Sequence, residues 1–513
     1  MITRPVGLLK PTIDCLRIIR KKVYNMDQHE EKDPLLSRHV EVDKRLQVSH
    51  DSGDIDDDNL KMHTYANLSH SDVGKVDKRA MHPVTSFEAL VHLVKGNLGT
   101  GLLALPYAVS KVGYVLGPAM LVVMGLVASH CMILLTRCSQ ALCKRHNTST
   151  LDYGEVAEAA VWDFKFEKRI GSYTVTEIFT GKIAKTVVNI VLIMTQFGFC
   201  CVYFVFMGDN IREVAKACGF ELDSRFWILI LLPLVVVFSW IRNLDALAPL
   251  ATVANICILF GLGAIMYDIF HLIGEKKAAV YEPSGVKMVE VAGTALPVFF
   301  GNAIYAFEGI GVVLPLENKA KNPIHFPKVV YLGMGVITSL YTVFGALGYL
   351  AFGDDIDASI TLNLPGDKHL HSVVYHIVKL YFSYAIFVTL LVQFYVPMDF
   401  LEPPLIRRLG VKHEIIKLSV FRTIIITITA GLAIVIPKLD LFISLVGAFA
   451  SSALAIIFPP ILQILVFCRT NEPFWVKMLW VSKSLLIVVV GVAGFATGTY
   501  VALKEIVDYL KSQ

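Results

Sequence analysis

Charge is scarce in this chain. Asp, Glu, Lys and Arg supply 18% of its 513 residues, against roughly 25% in an average soluble domain. A soluble protein of this length would need more charge to cover its surface, so that class is excluded. No basic stripe with interleaved aromatics is present and the net charge is only +4, so no nucleic-acid partner is expected. The nine cysteines carry no metal-ligand spacing. Cys131, Cys200, Cys201 and Cys257 sit in apolar runs and read as small packing residues, and Cys200-Cys201 is not a CxxC pair. A nucleophile elbow, a Walker loop, paired catalytic acids and an HExxH motif are all missing. Neither an enzyme nor a cofactor is expected. An ATP-driven pump would need a large soluble nucleotide domain, for which the chain has no room. No cleavable signal peptide is expected either, so the first internal apolar helix would serve as the membrane signal.

Long apolar runs are abundant. Eleven segments, approximately 86–109, 114–136, 184–207, 226–241, 249–271, 291–316, 328–352, 371–397, 421–437, 440–467 and 476–503, are candidates to cross a bilayer. A hydrocarbon core of roughly 30 Å takes about 20 helical residues. Lipid admits only helices or closed barrels, and these runs far exceed the ~10-residue alternating strands of a barrel. The expected fold is therefore an all-α integral membrane protein with eleven transmembrane helices. Residues 1–82 read as a disordered tail, 83–505 as the transmembrane domain and 506–513 as a short C-terminal tail. Loops on the side of the tail hold about 20 Lys and Arg against about 9 on the other side, which places the N-terminus in the cytoplasm. Within the tail, Glu31 four residues before Leu35-Leu36 resembles an acidic dileucine sorting signal of the kind clathrin adaptors read. The inner stretch from Leu151 to Ala160 reads as a short surface helix N-capped near Asp152, and Arg242 with Asp245 as a loop pair.

Segments one and six share a pattern. Segment one runs Lys95-Gly96-Asn97-Leu98-Gly99-Thr100-Gly101 and on to Leu105-Pro106; segment six runs Gly301-Asn302 through Tyr305-Ala306-Phe307-Glu308-Gly309-Ile310-Gly311 to Leu314-Pro315. Glycine costs a helix interior roughly 1 kcal/mol against alanine. Glycine-interrupted helices at matching places in two halves point to a transporter binding site. Each pattern opens a five-segment half, about 86–271 and about 291–467, with one extra helix at about 476–503. An odd number of segments per half makes the two halves an inverted repeat. Unwinding would free N–H groups near Asn97, Gly99, Thr100 and Gly101 for a carboxylate. It would also free carbonyls near Tyr305, Ala306, Phe307 and Gly309 for an ammonium group. A zwitterionic amino acid carries both charges. The competing reading is close helix packing by small residues. Glu308 is costly within a membrane span; it could carry a proton, hold unwound backbone or pair with Lys95. His92 precedes Lys95 by three residues and, with an unperturbed pKa near ~6.5, either packs or titrates between acidic and neutral compartments. Thr195, Gln196, Tyr203, Thr389 and Gln393 are further polar groups within segments.

The run from His92 to Pro106, the run from Phe299 through Glu308 to Asn318, Thr195 to Phe204, Ser359 to Pro365, Gln393 to Pro397 and Ile436 to Asp440 together resemble the proton-coupled amino acid transporters of the amino acid/auxin permease superfamily. The resemblance extends over about Thr85 to Glu505. It implies a five-plus-five inverted repeat like the bacterial leucine transporter, with helices one and six broken. It implies symport of protons with small neutral amino acids such as glycine, alanine and proline. It gives His92 a proton-coupling role; the reading of Glu308 as a proton carrier beside it comes from its place in the segment. It places members at the plasma membrane or on lysosomes and late endosomes, some of them feeding the amino-acid-sensing growth-signalling complex. One departure is that Cys218 fits the first cysteine of a family disulfide while the region of the second, Leu350 to Gly353, has none. A sodium-coupled symporter and a low-flux amino acid sensor are the alternatives.

Overall fold

The computed structural model describes residues 83–166, 175–242, 244–277, 286–291, 293–364, 370–409, 414–468 and 473–512. The acidic tail and its Glu31, Leu35 and Leu36 lie outside the described residues. Helices account for nearly all of what is described. In chain order they are α1 (Ser86–Asn97), α2 (Thr100–Val112), α3 (Leu116–His146), α4 (Tyr153–Phe166), α5 (Val175–Ala217), α6 (Ser224–Ser239), α7 (Ala248–Lys277), α8 (Ala295–Ala306), α9 (Ile310–Lys319), α10 (Phe326–Phe352), α11 (Leu370–Leu409), α12 (Glu414–Val435), α13 (Leu439–Val446), α14 (Phe458–Phe467) and α15 (Phe474–Lys511).

Nine of the described helical stretches are long and apolar enough to cross a bilayer, with α8 and α9 counted as one stretch and α13 to α14 as another. The other two expected segments appear as α6, an apolar helix of only 16 residues, and as the interrupted pair α1 and α2. Several helices outrun their apolar cores. The third expected segment extends from 184–207 to Val175–Ala217, and the last helix continues to Lys511, into the stretch read as a tail. Hydropathy marks only the lipid-immersed part of a helix, whereas backbone hydrogen bonding continues into the polar flanks.

The breaks fall where the glycines weaken the helix. α1 opens with a capping box in which Thr85 and Glu88 satisfy each other's backbone N–H groups. It ends at Asn97, and Gly99 starts α2 without a side-chain cap. α8 ends at Ala306, and Gly309 starts α9, again without a side-chain cap. Next to Gly96 and Gly301 the two asparagines behave alike. The Asn97 amide donates to Leu93 O at 2.8 Å and the Asn302 amide to Val298 O at 2.9 Å.

Two helix groups face each other. In one, α1 and α2 pack on α10, α2 packs on α8, and α10 packs on α3. In the other, α5 packs on α6, α11 and α12, and α7 leans on α11. The ends of the two broken helices on the N-terminal side are tied by an isolated bridge, Val84 N–H to Lys319 O at 2.8 Å and Lys321 N–H to Val84 O at 3.0 Å. The chain between α13 and α14 is π-helical, Gly447–Ser451 and Ala453–Ile457. A widened turn of this kind re-aims side chains and is frequent at functional sites. α7 and α15 present apolar side chains such as Leu259, Phe260, Leu486 and Val489 outward, as a lipid-facing surface requires.

One local expectation changes. α4 is longer than the stretch 151–160 and buries Tyr153, Val156, Ala157 and Ala160; Tyr153 Oη donates to Leu454 O at 2.7 Å. It is a packed element against α5 and α14 rather than a free surface helix. Arg242 pairs with Glu414 at 3.3 Å; the side chain of Asp245, its expected partner, lies outside the described residues.

Candidate functional site

A cavity of about 260 Å³ lies where the two breaks meet the second helix group. The broken helices contribute His92, Lys95, Gly96, Leu98 and Gly99, and Glu308, Gly309, Gly311 and Val312. Gln196, Phe199 and Tyr203 of α5, Asn255 of α7, and Thr389 and Gln393 of α11 complete its polar and aromatic wall. Polar residues that sequence reading marked on segments three and eight thus reach one space; Thr195 is fully buried beside it instead, with its hydroxyl on Val191 O at 2.8 Å.

Among the described residues the cavity reaches toward the side of the N-terminal residues. Its lining comes from α1, the first turns of α7, α9 and the second half of α11, all of which point to the side of the N-terminal residues. His92, Lys95 and Gly96 are exposed at that mouth. On the far side, contacts among the described residues cover the breaks. The Thr100 and Tyr305 hydroxyls meet at 2.9 Å and the Phe199 ring lies on Tyr305 with centroids 4.7 Å apart. Farther out Ile360 N–H donates to Leu103 O at 3.0 Å and Tyr107 Oη donates to Asp440 at 3.0 Å.

The residues expected to bind substrate divide into two sets. Gly99 and Gly309 line the cavity. Asn97, Thr100, Gly101, Tyr305, Ala306 and Phe307 are buried in the wall behind it. Gly101 is a packing glycine, since a Cβ there would sit 2.7 Å from Ala306 Cα; at Gly99 a Cβ would meet nothing within 4 Å. Of the carbonyls that end α8, Tyr305 O accepts from Glu308 N–H at 3.3 Å and Ala306 O from the Tyr341 hydroxyl at 3.0 Å. Tyr341, in α10, was invisible to sequence reasoning, because a tyrosine in an apolar run carries no signal of its partners.

Glu308 sits in the gap between α8 and α9, half-buried. The Ser451 hydroxyl and the Gly311 N–H stand close to its carboxyl, while Oε2 is covered and has no hydrogen-bond partner. Of the three roles open to it, the pairing with Lys95 is not formed, since no ion pair joins the two among the described residues. Ser451 arrives from the π-helical stretch, another contribution that no motif announced. His92 lines the mouth rather than the break. Cys218 is a free thiol.

Comparison with known proteins gives the family. A family described as "Transmembrane amino acid transporter protein" matches residues 82–504. The chain is 31% identical over 430 residues to the "Proton-coupled amino acid transporter-like protein pathetic" of Drosophila melanogaster, covering 83% of this chain and 86% of that protein. It is 28% identical over 441 residues to "Amino acid transporter AVT3C" of Arabidopsis thaliana, covering 83% and 92%. Among solved structures it is similar to MhsT in complex with L-phenylalanine, at 12% identity and TM-score 0.45 over 81% of this chain and 99% of that one. It is also similar to Mhp1, a nucleobase-cation-symport-1 family transporter, in a closed conformation, at 13% identity and TM-score 0.49 over 86% and 96%. With its broken helices, its cavity between two helix groups and a family match across most of its length, the chain belongs to the transmembrane amino acid transporter protein family.

Proposed function

We propose that the protein couples proton movement to symport of small neutral amino acids of the glycine, alanine and proline type. The observation that carries this reading is a carboxylate with an unpartnered oxygen, Glu308, lining the cavity at a helix break. The substrate carboxylate would meet the uncapped start of α2 near Gly99, where N–H groups and the helix dipole favour an anion. Its ammonium group would meet the opposite wall at Glu308 and Gly309. Glu308 would take up a proton on one side of the cycle and release it on the other, since a carboxylate within a membrane span is costly to keep charged. His92, at the mouth, would relay protons to and from solution. With the N-terminus in the cytoplasm, the present conformation is inward-open. The names of the two relatives, one of them carrying the words "proton-coupled", support the same reading.

Uptake of labelled alanine into reconstituted vesicles, with and without a pH gradient that is acidic outside, tests it. The gradient is expected to accelerate uptake, and Glu308→Gln to remove about tenfold or more of that stimulation. His92→Ala is expected to weaken it; full acid stimulation in that variant would take His92 out of the coupling path. Uptake that follows sodium and ignores pH would replace protons with sodium, and binding without turnover would make the protein a sensor.

A further inference from the structure

The end of a half-helix leaves carbonyls that need a partner, and here two such ends lie side by side. Asn97 O closes α1 and Ala306 O closes α8, and both residues are buried. The same hydroxyl reaches both. Tyr341 Oη hydrogen-bonds to Asn97 O and, at 3.0 Å, to Ala306 O. Tyr341 is fully buried, and its ring lies against Phe307 in the second break with centroids 5.0 Å apart. It stands on α10, the element that packs on α1, α2 and α3 together. The crossing around it is tight. A Cβ at Gly309 would come within 2.9 Å of the Asn97 amide, and one at Gly333 within 2.7 Å of Leu93.

We infer that Tyr341 is a positioning residue: its hydroxyl pins the carbonyl ends of both broken helices, so that the two unwound segments form one substrate site rather than two independent hinges. Tyrosine has one hydroxyl hydrogen, so the two carbonyls share it, and neither break can drift without taking the hydroxyl from the other. Tyr341 does not line the cavity and does not contact substrate. It sets the spacing between the Gly99 side and the Gly309 side, and therefore the fit of a ligand that spans them. This inference rests on the reading that substrate binds across the two breaks.

Tyr341→Phe keeps the ring and removes only the hydroxyl. Tyr349→Phe is the control, because its hydroxyl lies elsewhere on α10 and accepts from Lys287 N–H at 3.0 Å. Two measurements on purified protein separate the possibilities. In the substrate-free protein, Tyr341→Phe is expected to speed amide hydrogen exchange in both 97–101 and 306–311, with Tyr349→Phe leaving both unchanged. In vesicles, its KM for alanine is expected to rise about tenfold with turnover per folded molecule little changed. Replacing Tyr341 with 4-aminophenylalanine, which offers two hydrogens from the same ring, is expected to restore both readouts. Faster exchange at one break only, or an unchanged KM with normal exchange, would overturn the pin. If the wild type carried no amino acid while exchange still rose at both breaks, the pin would stand and the transport reading would fall. Should Tyr341→Phe fold poorly, failure of 4-aminophenylalanine to restore exchange protection would sink the proposal by itself.

Discussion

Glycines that look alike in the sequence have different work in the structure. Gly99 and Gly101 are two residues apart in one motif, yet the first borders open cavity and the second touches the backbone of α8. Gly99→Ala is therefore expected to fold normally, with any loss confined to substrate affinity. Gly101→Ala forces Ala306 to shift, and overpacking of this kind costs about 1–3 kcal/mol. Thermal melting of detergent-purified variants would show the second destabilised and the first close to wild type. Gly447 is tighter still. A Cβ there would sit 1.9 Å from Gly301 O, so Gly447→Ala is expected to melt lower than Gly101→Ala. An equal melting temperature would mean that the π-helical stretch can yield. The unwinding tendency of these glycines was legible in the sequence, because it is a local backbone property. Which of them faces the cavity was not, because that depends on helices far away in the chain.

Among the elements, the helix group built on α5, α6, α11 and α12 is held by a buried charge near the start of the ninth expected segment. Arg422, in the third turn of α12, is buried. Its guanidinium pairs with Glu402 of α11 and donates to Ser239 O and Ile241 O, each at 2.8 Å, at the end of α6. One side chain thus joins three helices and satisfies carbonyls that end α6. Arg422→Met leaves Glu402 buried without its partner, and breaking such a pair costs about 3–5 kcal/mol. Removing both charges, with Met at 402 as well, is expected to recover a large part of that loss in a melting experiment, since a buried pair gives little net stability over apolar packing. A double variant no more stable than Arg422→Met would place the stabilisation in the carbonyl contacts. The ninth segment was read as starting at 421, whereas α12 starts at Glu414. The charged first turn hid the start of the helix from a hydropathy reading, and with it the burial of Arg422.

For the whole molecule, the cavity's place on the N-terminal side of the breaks makes a directional prediction. Asn255→Cys, on the cavity wall in the first turns of α7, is expected to react with an impermeant maleimide only from the side of the N-terminal residues. Thr294→Cys lies on the far side, beside Tyr107 and Asp440, and is expected to react only from that side. Labelling of Asn255→Cys from the far face as well would mean that the resting protein samples both orientations freely. The sequence by itself determined that this chain is a helical membrane protein, where its helices lie along the chain, and that the first and sixth are interrupted. Hydropathy, helix period and glycine content are local, and lipid leaves the backbone few alternatives. The tertiary structure alone decided that Tyr341, 244 residues beyond Asn97, closes both breaks, that Ser451 stands beside Glu308, and that contacts on the far side cover the breaks. Those facts depend on how packed helices rotate and cross, and no stretch of sequence read on its own carries that information.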